Sequence, residues 1–426
     1  MSKPVIVFVG AVYPGQFGHL CDYLRETGQA QSFFLTTPGH MERNRERGNH
    51  ILGFQPDGPI ISDDRYYYSA KVERSARIGR GVLNALTAMR KHTRIDAVVA
   101  HSLWGAPHFL YDEIDAAIIS YIEFPSFRAH GWDPAYPPDL AQRITDRNTE
   151  MLNFHQALNS DLVICPSQHA KNMFPAALRS RIEVQLEGFD FAAMAEPEPP
   201  ASDKGSKGGK RGKGSKPVIG FAARDLSSAK GFETYVRLVD TLVERDVDAQ
   251  FVAFGGAEEV TYGYEQQAVK RQHGGKVTTF RDHLMLAYPR AAKVIEFPGK
   301  LPYDAFASRI AGVDIFLYPL KFGVANWGLV EILGRGGCVL APDRGYAAEL
   351  IQDDINGRLL PDDNEAWIAE ILALMDDPAR RYRYGQKARS MARAQYDLSV
   401  VAPRYMALFR QAMTNRAART GRPARR

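Results

Sequence analysis

The sequence predicts an α/β protein of two doubly wound parallel-sheet domains, and three observations carry that prediction. At 426 residues the chain exceeds what a single hydrophobic core ordinarily serves. Short β-branched strands alternate with amphipathic helical stretches along most of it, the pattern in which strands pair in parallel. Midway, EPEPPASDKGSKGGKRGKGSKP is Pro-rich and then rich in Gly, Lys and Ser, the composition of a flexible linker, and after it the pattern starts again. The expected division is a first domain over residues 1–195, a basic linker over 196–216 and a second domain over 217–397. A helix over 398–413 would fold back across the first domain, and a disordered Arg-rich tail would occupy 414–426.

Val5 to Val9 opens as a β-branched strand, and GAVYPGQFGHLCDYLRETG follows as a Gly-rich loop running into an amphipathic helix. The glycines fall at Gly10, Gly15 and Gly18 rather than as GxGxxG, and no acidic residue ends the next strand near Phe33 to Thr36. Both facts argue against a nicotinamide enzyme. Further strands are expected at Ala97 to Ala100, Ala117 to Tyr121 and Leu162 to Cys165, with a long helix from about Leu140 to Leu158. Ligands of such sheets gather beyond the carboxyl ends of the strands, where His101 and Glu123 stand on neighbouring strands. They fit either ordinary loop residues or two groups of one cleft.

In the second domain Val218 to Ala222 reads as a strand, Glu233 to Glu244 as a helix and Gln250 to Gly255 as a strand. Arg224 and Lys230 bracket the loop between the first two. Such a pair clamps a diphosphate, Arg as a planar fork and Lys as a point charge, or simply lies in solvent. Strands at Lys293 to Phe297 and Asp314 to Tyr318 lead to KFGVANWGLVEILGRGGCVLA, a small-residue loop entering a helix that Gly336 and Gly337 end. A helix start of this kind offers amides and a positive dipole end to an anion, with Glu331 one turn inside to meet sugar hydroxyls. The same pattern also fits a plain loop-helix-strand unit. Then AELIQDDINGRLL reads as helix, Asn-Gly turn and strand, and amphipathic helices follow at Glu365 to Asp377 and about Pro378 to Arg393.

Composition narrows the class. Apolar residues make up 45% without a run long enough to span a bilayer, so a globular, cytoplasmic protein is expected. Its first residues read as a buried strand rather than a secretory signal. Cys21, Cys165 and Cys338 are far apart and odd in number, which implies a reducing compartment and no zinc knuckle. The net charge of +5 is uneven: residues 201–216 and 414–426 each carry +5, so the remainder carries −5. Neither basic segment interleaves aromatics for base stacking, and no nucleic acid is expected. The one DxD, Asp246 to Asp248, falls on the amino side of the sheet and reads as a solvated turn rather than a metal site.

The order of strand, Arg-x5-Lys-Gly, strand with Gly-Gly, then GLVEILGRGG and NG resembles the family 4 retaining glycosyltransferases. Those have the GT-B fold of two Rossmann-like domains facing a cleft. YPGQFGHL, HSLWG, YIEF, WDPAYPP, RNTEML, VICPSQHAKNMFP and EGFD in the first domain are similar to one subgroup, as are ARDLSSAKGF, VTYG, LPYD and YDL further on. The resemblance implies that Arg224 and Lys230 hold the donor diphosphate with the amides of Asn326, Trp327, Gly328 and Leu329, and that Glu331 binds the donor ribose. Gly15 would lie close to the phosphates. Many members carry a further acid eight positions before that Glu. Here the position is Gly323, which breaks the pattern. Glu123 stands where the family often has a His, and either it or His101 would orient or deprotonate the acceptor hydroxyl, Glu123 favoured by alignment and His101 by the chemistry of imidazole.

The implied activity is metal-independent, retaining transfer of a hexosyl group from a nucleotide diphosphate sugar to a glycan or lipid-linked acceptor, in bacterial surface polysaccharide biosynthesis. No cofactor is expected, and a lipid-linked acceptor would bring the protein to the inner face of the cytoplasmic membrane. A sugar phosphorylase or epimerase of the same plan, or a non-catalytic nucleotide-sugar-binding or scaffold subunit, are the alternatives.

Overall fold

The computed structural model describes residues 3–60, 69–192, 194, 216–258 and 263–421. The chain forms two compact units, one of residues 1–130, 139–190 and 395–426, the other of residues 131–138 and 191–394. The expected linker over 196–216 lies outside the described residues apart from Lys216.

The first unit is built on a parallel sheet of seven strands: β1 Val5–Val9, β2 Gln31–Thr36, β3 Ile51–Gly53, β4 Ala97–His101, β5 Ala117–Tyr121, β6 Leu162–Cys165 and β7 Ile182–Val184. Their order is β3-β2-β1-β4-β5-β6-β7, so the winding reverses between β1 and β4. Because both faces are covered, β1, β4 and β5 are buried along their whole length, as their Val, Ile and Ala runs require. Alternate residues serve opposite layers. Ile6, Phe8, Val99 and Ile119 pack with Leu20, Leu24 and Phe409, while Val7, Val9, Val98 and Ile118 pack with Ile78, Val82 and Leu86. The helix Leu140–Asn159 starts with a capping box in which Asp139 and Gln142 satisfy each other's backbone amides.

The second unit repeats the plan with β8 Val218–Asp225, β9 Gln250–Gly256, β10 Ile295–Gly299, β11 Ile315–Leu317, β12 Val339–Pro342 and β13 Arg358–Leu360, ordered β10-β9-β8-β11-β12-β13. Its winding reverses between β8 and β11. The likeness extends to detail: the amide of Val5 donates to Asp96 at 2.9 Å, and that of Val218 to Asp314 at 2.8 Å. In each unit an Asp just ahead of the strand across the switch caps the first strand.

Four expectations change. The helix Leu398–Thr420 does not stop at Met413 but continues through the first part of the expected tail. Arg416 donates to the carbonyls of Tyr111 and Ile114 at 2.7 and 3.1 Å, and Arg419 pairs with Asp161 at 3.1 Å, so these arginines are packed rather than solvated. Residues 131–138, expected within the first domain, belong to the second unit, where the Tyr136 ring meets Phe280 edge-on at 5.3 Å. The strand expected from Lys293 begins at Ile295, because Lys293 and Val294 still donate to the preceding turn, and it runs on through Pro298 to Gly299. The strand expected over Asp314 to Tyr318 is the shorter Ile315–Leu317, Asp314 being taken up by its cap.

Candidate active site

Each unit gathers chemistry-bearing residues at the carboxyl ends of the strands flanking its switch point, where open α/β sheets bind ligands. In the second unit Arg224 is near the end of β8, with its side chain 59% exposed, and Lys230 closes the same loop, largely buried. This loop is joined to the one after β11. The amides of Lys321 and Phe322 both donate to the Ala229 carbonyl, at 3.1 and 3.0 Å. Gly231 has φ +79°, and a Cβ there would come within 1.8 Å of the Pro319 carbonyl oxygen, so only glycine allows this approach. The two loops therefore form one rigid platform that carries Arg224 and Lys230 at one edge and the start of helix Trp327–Gly334 at the other.

At that helix start Asn326 is the N-cap, its Oδ1 accepting from the Gly328 amide at 2.9 Å, while the Leu329 amide donates to the Asn326 carbonyl at 3.2 Å. Two of the amides expected to meet an anion are thus engaged within the turn. Trp327 is partly exposed. Glu331 is only 13% exposed, and its Oε1 accepts from Tyr303 Oη at 2.8 Å and Arg335 Nε at 3.0 Å. Neither partner was anticipated from the sequence, although LPYD and GRGG contain them.

Two further acids contact the platform, Glu265 and Asp133, and neither was anticipated as a site residue from the sequence, although WDPAYPP contains Asp133. Glu265 is buried and its Oε1 accepts from the Ser228 amide at 2.7 Å. Burial, helped by the charges of Asp225 and Asp133, pushes its carboxyl up to about 7. Asp133 accepts from the Ser228 hydroxyl and from Lys321 Nζ at 2.8 Å. Burial works against its ionised form, but Lys321, Ser228 and the Ala135 amide outweigh that and hold its carboxyl below the usual range.

In the first unit the register pairs His101 with Tyr121 across β4 and β5. That brings His101 Nε2 to 3.3 Å from Glu123 Oε2, with Gln16 Nε2 at 3.4 Å from the same oxygen. His101 Nδ1 accepts from the Leu103 amide at 3.3 Å, so the proton of the neutral ring sits on Nε2 and points to Glu123. The imidazole is 4% exposed and the carboxylate 26%, which makes Glu123 the member that solvent and a ligand can reach. Gly15, at φ +47°, lies in the loop after β1; a Cβ there would meet the Val12 carbonyl at 2.4 Å.

Among the described residues one grouping has metal-ligand types, Cys21, Asp22 and His50. Both Asp22 oxygens are already in use, by Tyr13 Oη at 2.5 Å and His50 Nε2 at 2.8 Å, and burial pushes the Cys21 thiol up to about 12. The arrangement is a hydrogen-bonded relay under the loop after β1. Asp246 and Asp248 sit in the turn before β9, Asp248 paired with Lys216 at 2.5 Å. No helix among the described residues is long and apolar enough to cross a membrane.

Known proteins share this plan. The chain is 20% identical over 282 residues to the alpha-D-kanosaminyltransferase of Streptomyces kanamyceticus, covering 65% of this chain and 67% of that one. Sucrose-phosphate synthase from Thermosynechococcus elongatus superposes with a TM-score of 0.69 at 17% identity, over 97% of this chain and all of that one. Anabaena HepE in complex with UDP and glucose superposes at 0.64 and 15% identity, over 95% and 98%. At such identities the structures establish the GT-B fold alone. Residues 28–194 match the glycosyl transferase family 4 group and residues 206–391 match glycosyl transferases group 1, so these two regions, which together span most of the chain, belong to glycosyltransferase families.

Proposed function

We propose that this protein is a retaining, metal-independent glycosyltransferase that moves a hexosyl group from a nucleotide diphosphate sugar to a glycan or lipid-linked acceptor in bacterial surface polysaccharide biosynthesis. The observation that carries the reading is the platform at the ends of β8 and β11, where the Arg224 to Lys230 loop is fixed to the loop leading into helix Trp327–Gly334. The presence of UDP and glucose on the Anabaena relative supports a donor of this class.

Chemically, the bond from the anomeric carbon to the phosphate oxygen breaks, and its electron pair leaves with the nucleoside diphosphate. Negative charge grows on that leaving group, and Arg224 and Lys230, a fork and a point charge, stabilise it where a metal ion would otherwise be needed. With two helix-start amides engaged in the cap, the side-chain cations carry more of this task than the dipole does. The acceptor oxygen forms the new bond and gives up its proton. Glu123 receives or orients that proton, and His101 fixes the direction of the Glu123 side chain through its Nε2 contact. Glu331, fixed by Tyr303 and Arg335, keeps its other oxygen for the donor ribose.

The test is release of nucleoside diphosphate from a panel of nucleotide sugars with candidate acceptors, and the anomeric configuration of the product by NMR. Acceptor-dependent release with retention supports the reading. Gly323, which lacks the acid many family members have, favours a second reading as a nucleotide-sugar-binding subunit. Donor binding without release over all acceptors would favour that reading, and release that requires inorganic phosphate would point to a phosphorylase.

A further inference from the structure

The WDPAYPP segment lies in the chain between the helices Phe127–His130 and Leu140–Asn159, yet it belongs to the unit that carries the candidate donor platform. Its acidic residue is prepared for a fixed task. The Ala135 amide donates to Asp133 Oδ1 at 3.0 Å and the Tyr136 amide to the Asp133 carbonyl at 2.9 Å, a turn that sets the carboxylate's direction. Edge-on contact of Tyr136 with Phe280 anchors the far end of the segment. Asp133 Oδ2 then meets one side chain from each half of the platform: the Ser228 hydroxyl, from the Arg224 to Lys230 loop, and Lys321 Nζ, from the loop after β11. Its side chain is only 9% exposed.

Ser228 is held from two directions, its amide by Glu265 and its hydroxyl by Asp133. Lys321 has a second acid, Glu233, at 4.0 Å. Its ammonium therefore faces carboxylates and serves as a brace.

We propose that Asp133 is a positioning residue for donor binding, its carboxylate shared between Ser228 and Lys321 so that Arg224 and Lys230 are presented in one fixed geometry. This inference rests on the platform being the donor site. The physical basis is that a misplacement of about 1 Å in such a site costs about a hundredfold. A rival view of the same contacts makes opposite predictions: if Asp133 merely neutralises Lys321, removing it would free a third cation and tighten anion binding.

Calorimetric titration of wild type, Asp133→Asn, Asp133→Ala, Ser228→Ala and Ser228→Thr with UDP, GDP and ADP separates these views. The expected result is about ten- to a hundredfold weaker binding of the preferred nucleotide in Asp133→Ala and Ser228→Ala, with Ser228→Thr, which keeps the hydroxyl, near wild type. The double variant Asp133→Ala/Ser228→Ala should be no weaker than Asp133→Ala alone, because that single change already removes the contact to the Ser228 hydroxyl. In turnover the donor KM should rise while the acceptor KM holds, a split that general loss of structure would not produce. Should the Asp133 variants fold poorly, the serine pair carries the test. Affinity equal to or tighter than wild type in Ser228→Ala and the Asp133 variants overturns the role of Asp133 while leaving the donor site standing. Failure of wild type to bind any of these three, or dTDP or CDP, overturns both.

Discussion

His101 presents its Nε2 proton to Glu123 Oε2 at 3.3 Å because its other ring nitrogen accepts from the Leu103 amide. The pair is thereby ordered, with a buried imidazole behind and a reachable carboxylate in front. Glu123→Ala should lower kcat about a hundredfold, the scale of a lost proton-transfer group, and His101→Ala should cost less. Steady-state kinetics on both variants decides it; losses of only a few-fold in both would remove the pair from the chemistry.

Arg224 and Lys230 have a different signature. Each single Ala variant should lose on the order of a hundredfold in turnover, because charge on the leaving diphosphate is then left uncompensated. Lys230→Arg should recover little, since the residue is nearly buried and a planar fork does not replace a point charge. Near-normal turnover in Arg224→Ala would contradict the donor assignment.

Glu265 makes stability depend on pH. Its carboxyl is raised to about 7, so the folded protein binds a proton that the unfolded chain has released above its ordinary carboxylate range. Folding stability should therefore fall as pH rises from about 5 to 8, by about 2 to 3 kcal/mol if this group alone contributes. In Glu265→Gln, which keeps an acceptor for the Ser228 amide, the dependence should disappear. Urea unfolding at the two pH values measures it, and an equal slope in both proteins would refute it.

The C-terminal helix is part of the first unit's core. Phe409 is fully buried, with its ring 5.9 Å from Phe8 and 5.7 Å from Tyr405. Phe409→Ala should cost about 3 to 5 kcal/mol, read as a lower urea midpoint, whereas a surface change such as Arg410→Ala should be close to neutral.

Much of this organisation is legible in the sequence, for identifiable reasons. The runs Val5–Val9 and Ala117–Tyr121 are rich in Val and Ile and apolar apart from Ser120 because their strands are covered on both faces. His101 and Glu123 could be placed together because neighbouring parallel strands end side by side. By contrast β3 and β7, three residues each, were not anticipated, whereas the equally short β11 sits in a longer apolar run and β13 follows an Asn-Gly turn. Asp133 lies 95 residues from Ser228 and 188 from Lys321, and no local pattern announces a contact of that span. The Arg-rich end misleads for a related reason: Arg416 and Arg419 look solvated until the carbonyls and the carboxylate that receive them are in view.

The most direct test of the central claim is a thermal-shift screen of wild type and Arg224→Ala against UDP, GDP, ADP, dTDP and CDP and their sugar conjugates. Binding at a hundredfold excess over Kd stabilises the folded state by about 2.7 kcal/mol, enough to distinguish the true donor nucleotide from the rest. The expected result is a clear shift with one nucleotide family, lost in Arg224→Ala. No shift with any nucleotide, or an equal shift in the variant, would contradict it.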